Sequence, residues 1–276
     1  MLATLAVGGV PVAEYADGGG LDPVLAPRPH LHPVRTLGGR TVTDAQPADH
    51  PWHLGVSVAV PDVGGANLWG GPTYLPEAGY TWREDHGRIE HAGFTAADPA
   101  GVDERLRWLV PGGEVVLTER RRLRARPAGP GWELGIGTAL TNVSGRALAL
   151  GSPATNGRAG AGYGGLFWRL PPGGAPSVRT ADREGEEAVH GSVAPWLAWR
   201  DPGAGFTLAL TGTDAATRAD PWFVRVRDYP GVGWQLAARR PLVLPPGETV
   251  TRGFRALVVD GVLDDAAVAD WASAGS

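Results

Sequence analysis

The chain has 276 residues, a formal net charge of −4, 43% apolar and 20% charged residues. This composition fits a folded chain with a sizeable core and excludes an overall basic field for nucleic acid. It has no cysteine, and its 25 Lys and Arg positions are all arginine, which excludes disulfides, thiolate nucleophiles, Schiff-base lysines and a P-loop.

The opening residues, "MLATLAVGGVPVAEY", lack a cationic n-region and an A-x-A cleavage site, and read as a strand pair rather than a signal peptide. In "RPHLHPVRT", Arg28, His30 and His32 alternate, so an extended chain sets them on one face. "DAQPADHPWHLGVSVAV" follows, with Asp49, His50 and His53 ahead of a strand whose Leu54, Val56, Val58 and Val60 share a face. "DHGRIEHAGF" adds His86 and His91. "EVVLTERRRLRAR" reads as a longer strand whose Arg120, Arg122, Arg124 and Arg126 face solvent and pair with carboxylates across the sheet. "GWELGIGTAL", "TNVSG" and "RALALGS" read as strand, turn and strand, a hairpin with Leu134, Ile136 and Thr138 on one side.

The glycine-rich stretch from 152 to 174 carries Asn156, Arg158, Tyr163, Trp168 and Arg169 as donors and flat surfaces, a combination suited to a sugar; an ordinary loop entering a strand is the alternative. "GFTLALTGT", "WFVRVRDY", "GWQLAARRPLVL" and "TVTRGFRALVVDG" are further short strands, and Trp222 is a candidate for ligand stacking. The tail, "LDDAAVADWASAG", is predicted helical, with Asp264 or Asp265 near its start. No apolar run reaches about 18 residues, so no transmembrane helix is expected. Many short strands between regular turns predict an all-β sandwich or barrel, here one domain over 1–276.

Six of seven histidines (30, 32, 50, 53, 86 and 91) fall within one 62-residue segment. Imidazole serves both as metal ligand and as acid or base near neutral pH. The expectation is a shared polar pocket drawn from His32, His50, His53 and His91. The spacing matches no standard zinc signature, so metal-free and metal-assisted chemistry both stay open. Asp49, Glu90 and Asp228 are the nearby carboxylates.

The segments "RPHLHPVRTLGGRTVT", "DHPWHLGVSVAVPDVGGANLWGG", "GRIEH", "GYGGLFWR" and "PPGETVTRGFRALVVDG" together resemble the bacterial family labelled methane oxygenase PmoA-like, over nearly the whole chain. His32, His50, His53 and His91 match its pattern, while Trp52 stands where a second histidine is usual and His30 where an aromatic often stands. The stretch "GTALTNVSGRALALGSPATNG" is similar to the strand-turn-strand of galactose mutarotase-like proteins, which implies a β-supersandwich that binds sugar in an open cleft. The mutarotase histidine expected after that hairpin is absent from "SPATN".

Taken together, the expectation is an all-β, galactose mutarotase-like supersandwich with a short C-terminal helix, cytoplasmic and acting on a small carbohydrate, with neither membrane nor nucleic acid as partner. The leading activity is a sugar isomerase, lyase or hydrolase. His50, His53 and His91 would be catalytic groups or ligands of a divalent metal. Arg28, His32, Arg35, Asp49, Tyr163 and Arg169 would contact or orient substrate. The alternatives are a non-catalytic sugar-binding protein and a metal-dependent oxygenase with His50, His53 and either Asp49 or a distant carboxylate as a 2-His-1-carboxylate set.

Overall fold

Apolar and polar residues alternate between Gly and Pro turns, and strands dominate the result. The computed structural model describes residues 1–274; Gly275 and Ser276, the last positions of the expected 1–276 domain, lie outside the described residues. The first half runs β1 (Ala3–Val7), β2 (Val10–Ala16), β3 (His30–Val34), β4 (Val56–Ala59), β5 (Asp62–Val63), β6 (Thr73–Leu75), β7 (Gly79–Thr81), β8 (Arg88–Asp98), β9 (Gly101–Leu109) and β10 (Val115–Ala128). The second half runs β11 (Gly131–Asn142), β12 (Leu148–Gly151), β13 (Gly165–Arg169), β14 (Ser177–Thr180), α1 (Glu186–Val189), β15 (Trp196–Asp201), β16 (Phe206–Gly212), α2 (Ala215–Ala219), β17 (Trp222–Arg225), β18 (Gly231–Trp234), β19 (Leu242–Leu244), β20 (Thr249–Asp260) and α3 (Asp265–Ser273).

Two antiparallel sheets form the sandwich. One has seven strands in the order β1-β2-β3-β4-β13-β18-β17, the other eight in the order β14-β15-β16-β20-β11-β10-β9-β8. The main core lies between them. It takes Val56, Val58, Trp168, Val224 and Val232 from the first sheet and Leu123, Leu134, Ile136, Leu208 and Val258 from the second. Each fully buried Val or Leu contributes roughly 1.5–3 kcal/mol. The predicted face of Val56, Val58 and Val60 is the core face. The predicted helix is α3, capped by the Asp264 side chain accepting from Ala267 N at 2.8 Å. No helix among the described residues is long and apolar enough to cross a membrane.

The expected hairpin over residues 131–151 does not form. β11 pairs with β10 on one side and β20 on the other, so both of its edges are occupied. β12 instead joins a separate small sheet with β19 and β5. Asn142, fully buried, makes the turn: its Nδ2 donates to Arg146 O and Leu244 O at 2.7 Å, and its Oδ1 accepts from Ser144 N at 2.9 Å.

The arginine strand behaves as expected at three of its four positions, while Arg120 is exposed with no carboxylate partner among the described residues. Arg122 and Arg124 pair with Asp103 on neighbouring β9, and Arg126 pairs with Glu133 on β11.

Candidate active site

The strands β4, β13, β18 and β17 have a second face, turned away from the main core. Period-2 alternation puts Ala59, Phe167 and Phe223 there, where they pack with Trp69, Trp52, Tyr163 and Tyr229 as a separate aromatic cluster. Gly231 makes room for it, since a Cβ at that position would lie 2.8 Å from the Phe167 ring. Above this floor lies a cleft of about 360 Å³, its walls including His50, Trp52, His53, Tyr80, Arg158, Tyr163, Arg225, Asp228 and Tyr229.

The loop between β3 and β4 supplies the histidines. His50 and His53 stack with ring centroids 4.7 Å apart and planes 9° from parallel, and Tyr229 leans on both at 4.5 and 5.0 Å. Their neighbours assign them opposite proton arrangements. His50 Nδ1–H donates to Asp49 at 2.9 Å, which leaves Nε2 with a lone pair. Arg169 Nη1 donates to His53 Nδ1 at 3.4 Å, which leaves the hydrogen on Nε2. Burial, reinforced by the neighbouring His50 and the guanidinium groups of Arg169 and Arg28, holds the His53 imidazolium well below its ordinary range, so His53 is neutral. Partial burial pushes the Asp49 carboxyl up, but hydrogen bonds from His50 and Arg169 outweigh it and hold it below the usual range. One ring thus offers an acceptor and the other a donor.

Gly70 and Gly71 fix the position of Trp52. Both have positive φ (97° and 71°), and a Cβ on either would fall within 2.7 Å of Trp52 atoms. Trp52 stands edge-on to His50 at 5.2 Å. The glycine-rich stretch contributes Arg158 and Tyr163. The Tyr163 hydroxyl is 3.1 Å from that of Tyr80, which accepts from Arg158 at 2.9 Å. Burial, together with Tyr80, raises the Tyr163 phenol well above its ordinary value, so it stays protonated.

The structure brings together His50, His53, Asp49, Arg169 and Tyr163, with Arg169 behind the histidines at 2% exposure rather than in contact with the cleft. It removes four expected residues. Arg28 is fully buried, and its guanidinium donates to Ser57 Oγ and to the carbonyls of Leu25, Ala26, Trp52 and Trp69. It braces the cleft wall and is not positioned to contact substrate. Burial, with the charge of Arg121, lowers it to about 9. His32 turns to Thr43 Oγ1 at 3.0 Å, and Arg35 pairs with Glu14 at 3.0 Å; neither lines the cleft. His91 lies on β8, at the edge of the other sheet, where it bonds Glu104 at 2.7 Å.

The expected metal ligands therefore do not converge. Among the described residues no three His, Cys, Asp or Glu side chains form a ligand set. His91 belongs to a different sheet. The parallel rings of His50 and His53 send their in-plane lone pairs alongside each other rather than to one point. Asp49 is committed to His50 and Arg169. These positions do not fit a divalent ion or a 2-His-1-carboxylate iron site.

Trp222 is also corrected: it is buried against Trp234 at 4.2 Å, and its neighbour Phe223 faces the cleft. Trp168 is buried and donates to Val42 O, and Asn156 bonds Asp62. Glu90 is held by Arg88 and Arg107, while Asp228 does line the cleft. Sequence reading does not find Trp52, Trp69, Tyr80, Arg225 and Tyr229 as site residues. An available signal is the Gly70-Gly71 pair beside Trp69, which marks a close backbone approach.

Among solved structures, a galactose mutarotase related enzyme from Lactobacillus acidophilus is similar over 96% of this chain and 100% of its own, at 10% identity and a TM-score of 0.54. A protein described as a candidate aldose 1-epimerase from Escherichia coli K12 is similar over 62% of this chain and 69% of its own, at 12% identity and a TM-score of 0.40. The Slr1438 protein from Synechocystis sp. PCC 6803 is similar over 92% and 86%, at 11% identity and a TM-score of 0.42. At such identities the likeness is one of fold, and the expected galactose mutarotase-like sandwich is the fold observed. No curated protein matches the sequence. The resemblance of the histidine segments to the methane oxygenase PmoA-like family has no counterpart among these matches. The family model that matches spans residues 3–273, and the chain belongs to the family of unknown function DUF6807.

Proposed function

We propose that the chain binds a carbohydrate in the aromatic cleft and modifies it by acid–base chemistry, as an isomerase, lyase or hydrolase. The observation that carries this reading is the stacked His50–His53 pair, with an accepting Nε2 on one ring and a donating Nε2–H on the other. His50 is the base, oriented by Asp49. His53, neutral and oriented by Arg169, donates a hydrogen bond to a sugar oxygen where charge develops. Trp52, Trp69, Tyr80 and Tyr163 supply the flat apolar surfaces against which sugar C–H faces pack. The fold likeness to a galactose mutarotase related enzyme supports the substrate class.

The test is a screen of aldoses, uronates and sugar phosphates by NMR, read both for binding and for change in the sugar, with wild-type chain and His53→Ala. Turnover lost in the variant supports the reading. A sugar that binds and stays unchanged would replace it with a non-catalytic binding role, and unchanged turnover in His53→Ala would remove the histidine from the mechanism.

A further inference from the structure

Three arginines surround the cleft without a carboxylate partner among the described residues. Arg158 lies over the Tyr80 ring at 4.8 Å and donates to its hydroxyl, and its Nε and Nη2 make no hydrogen bond to protein. Arg225 lies over Phe223 at 4.8 Å, held by Val224 O, Gly160 O and His190 Nδ1, with its Nε unused. Arg28, behind the wall, has its guanidinium 5.9 Å from the Trp69 ring centre and is satisfied by carbonyls and one hydroxyl. Arg169, the fourth, is balanced by Asp49. Against these stands one free carboxylate in the lining, Asp228.

Elsewhere in the chain arginines find acids readily: Arg122 and Arg124 share Asp103, and Arg146, Arg126 and Arg252 each have one. Arg105, Arg120, Arg218, Arg227, Arg239 and Arg240 also lack a carboxylate partner among the described residues, but Arg158 and Arg225 are the two that line the cleft where the aromatic walls and the histidine pair converge. A cleft with low-dielectric aromatic walls and a surplus of one charge focuses its field on the opposite charge. A guanidinium with open N–H groups binds carboxylate and phosphate oxygens in matched geometry.

We infer that the sugar taken by this cleft is anionic, its carboxylate or phosphate oxygens held by Arg158 and Arg225 while the ring lies on Trp52, Trp69 and Tyr80 between that anchor and His50–His53. The inference rests on the carbohydrate reading and narrows it to a class. Of the two arginines that line the cleft, Asp228 offsets one, so a singly charged uronate or aldonate is matched better than a phosphate dianion.

Isothermal titration calorimetry of the full chain tests this with three panels in the gluco and galacto series: neutral aldoses, the corresponding uronates, and the aldose 6-phosphates. A member of one charged panel is expected to bind at least about tenfold tighter than its neutral counterpart, as one or two charge-assisted hydrogen bonds would give. The advantage is expected to shrink as salt rises. Arg158→Gln, on an exposed side chain, is expected to bring the charged sugar to within about threefold of the neutral one. Arg225→Gln is expected to do the same, with its folding checked by circular dichroism because Arg225 also holds Gly160. The panel that wins distinguishes carboxylate from phosphate.

Neutral sugars binding as tightly as charged ones would overturn the inference and leave the carbohydrate reading standing. An anion preference untouched by both substitutions would overturn the assignment to these arginines. Binding by no sugar in any panel would overturn the carbohydrate reading, and the inference with it.

Discussion

Arg169 Nη2 lies 3.0 Å from both carboxylate oxygens of Asp49, a pair in which the cation is 2% exposed and the anion 41%. The guanidinium also reaches His53, so one buried cation fixes both members of the histidine pair, His53 directly and His50 through Asp49. Removing Asp49 leaves that cation buried with water as its counter-partner. Because Asp49 is half-exposed, water recovers part of the loss. Asp49→Ala is expected to lose about 1–3 kcal/mol, read as a lower urea midpoint at unchanged m. Asp49→Asn keeps an acceptor and is expected to lose less. A midpoint in Asp49→Ala equal to wild type would mean that the ion pair contributes nothing.

The pH dependence of stability follows from buried histidines. Burial lowers His30 to about 4, and it also lowers His53, His32 and His190 from the usual 6.5. These rings are neutral when folded and take up protons when unfolded below 6.5, so acid favours the unfolded chain. Stability is expected to be full above pH 6.5 and to fall as pH drops towards 4. His30 alone accounts for a loss on the order of 3 kcal/mol over that window. Asp49, Asp103 and Asp214, lowered from 3.8, add a further loss below that pH. Melting temperatures recorded from pH 7 to 4 check the slope, and His30→Asn should flatten it. A variant with the wild-type slope would show that His30 is not the group responsible.

For the histidine pair, the two substitutions separate. His50→Gln removes the base and is expected to lower kcat by roughly 10²–10⁴ with KM little changed. His53→Gln keeps an N–H donor at the same place and is expected to retain more activity than His53→Ala. Equal losses in His53→Gln and His53→Ala would argue against a hydrogen-bonding role for that ring. The assay uses whichever sugar the binding screen identifies.

Much of the fold can be read locally, because alternation is a property of neighbouring residues. Val56, Val58 and Val60 declare a core face, and Asp264 declares a helix start. The site can be read only in part, because it depends on which strands become neighbours. His50 and His53 lie three apart in one loop and stay together. His91 carries an equally suggestive pattern, but β8 joins the other sheet, a choice made by pairing with β9 along its length. Trp222 and Phe223 show the same difficulty one residue apart. Both are aromatic, and only the packing of β17 against β18 decides which faces the core. The 131–151 hairpin misleads because the partners that occupy the edges of β11 include β20, more than 100 residues away.

Gly71 is expected to be intolerant of a side chain. Its φ of 71° is costly for an L-residue, and the new Cβ would lie 2.5 Å from the Trp52 ring. Gly71→Ala is expected to destabilise by about 1–3 kcal/mol. It should also weaken sugar binding by displacing Trp52, which lines the cleft. Gly65→Ala makes a useful control: its φ of 94° is also positive, and a Cβ there meets nothing within 4 Å. It carries the backbone cost without the displaced ring. If Gly71→Ala behaves like Gly65→Ala in both stability and binding, the contact with Trp52 does not hold that wall in place.

Trp82 supplies the remaining prediction. It is 59% exposed, unusual for so large an apolar ring, and it stands edge-on to Trp52 at 5.9 Å. An exposed indole beside a cleft wall gains by covering itself with a ligand, and an aromatic contact of this kind is worth about 0.5–1.5 kcal/mol. Trp82→Ala is therefore expected to weaken sugar binding roughly threefold to tenfold. The melting temperature should hardly move, since little packing is lost. Fluorescence separates this from a global effect. Trp108, Trp132, Trp168, Trp199, Trp222 and Trp234 are below 2% exposure or close to it and do not sense the cleft. A blue shift on adding sugar should come largely from Trp82 and Trp52 and should shrink in Trp82→Ala. If affinity and shift are both unchanged in that variant, the ligand does not extend past Trp52, and the aromatic surface ends at the cleft wall.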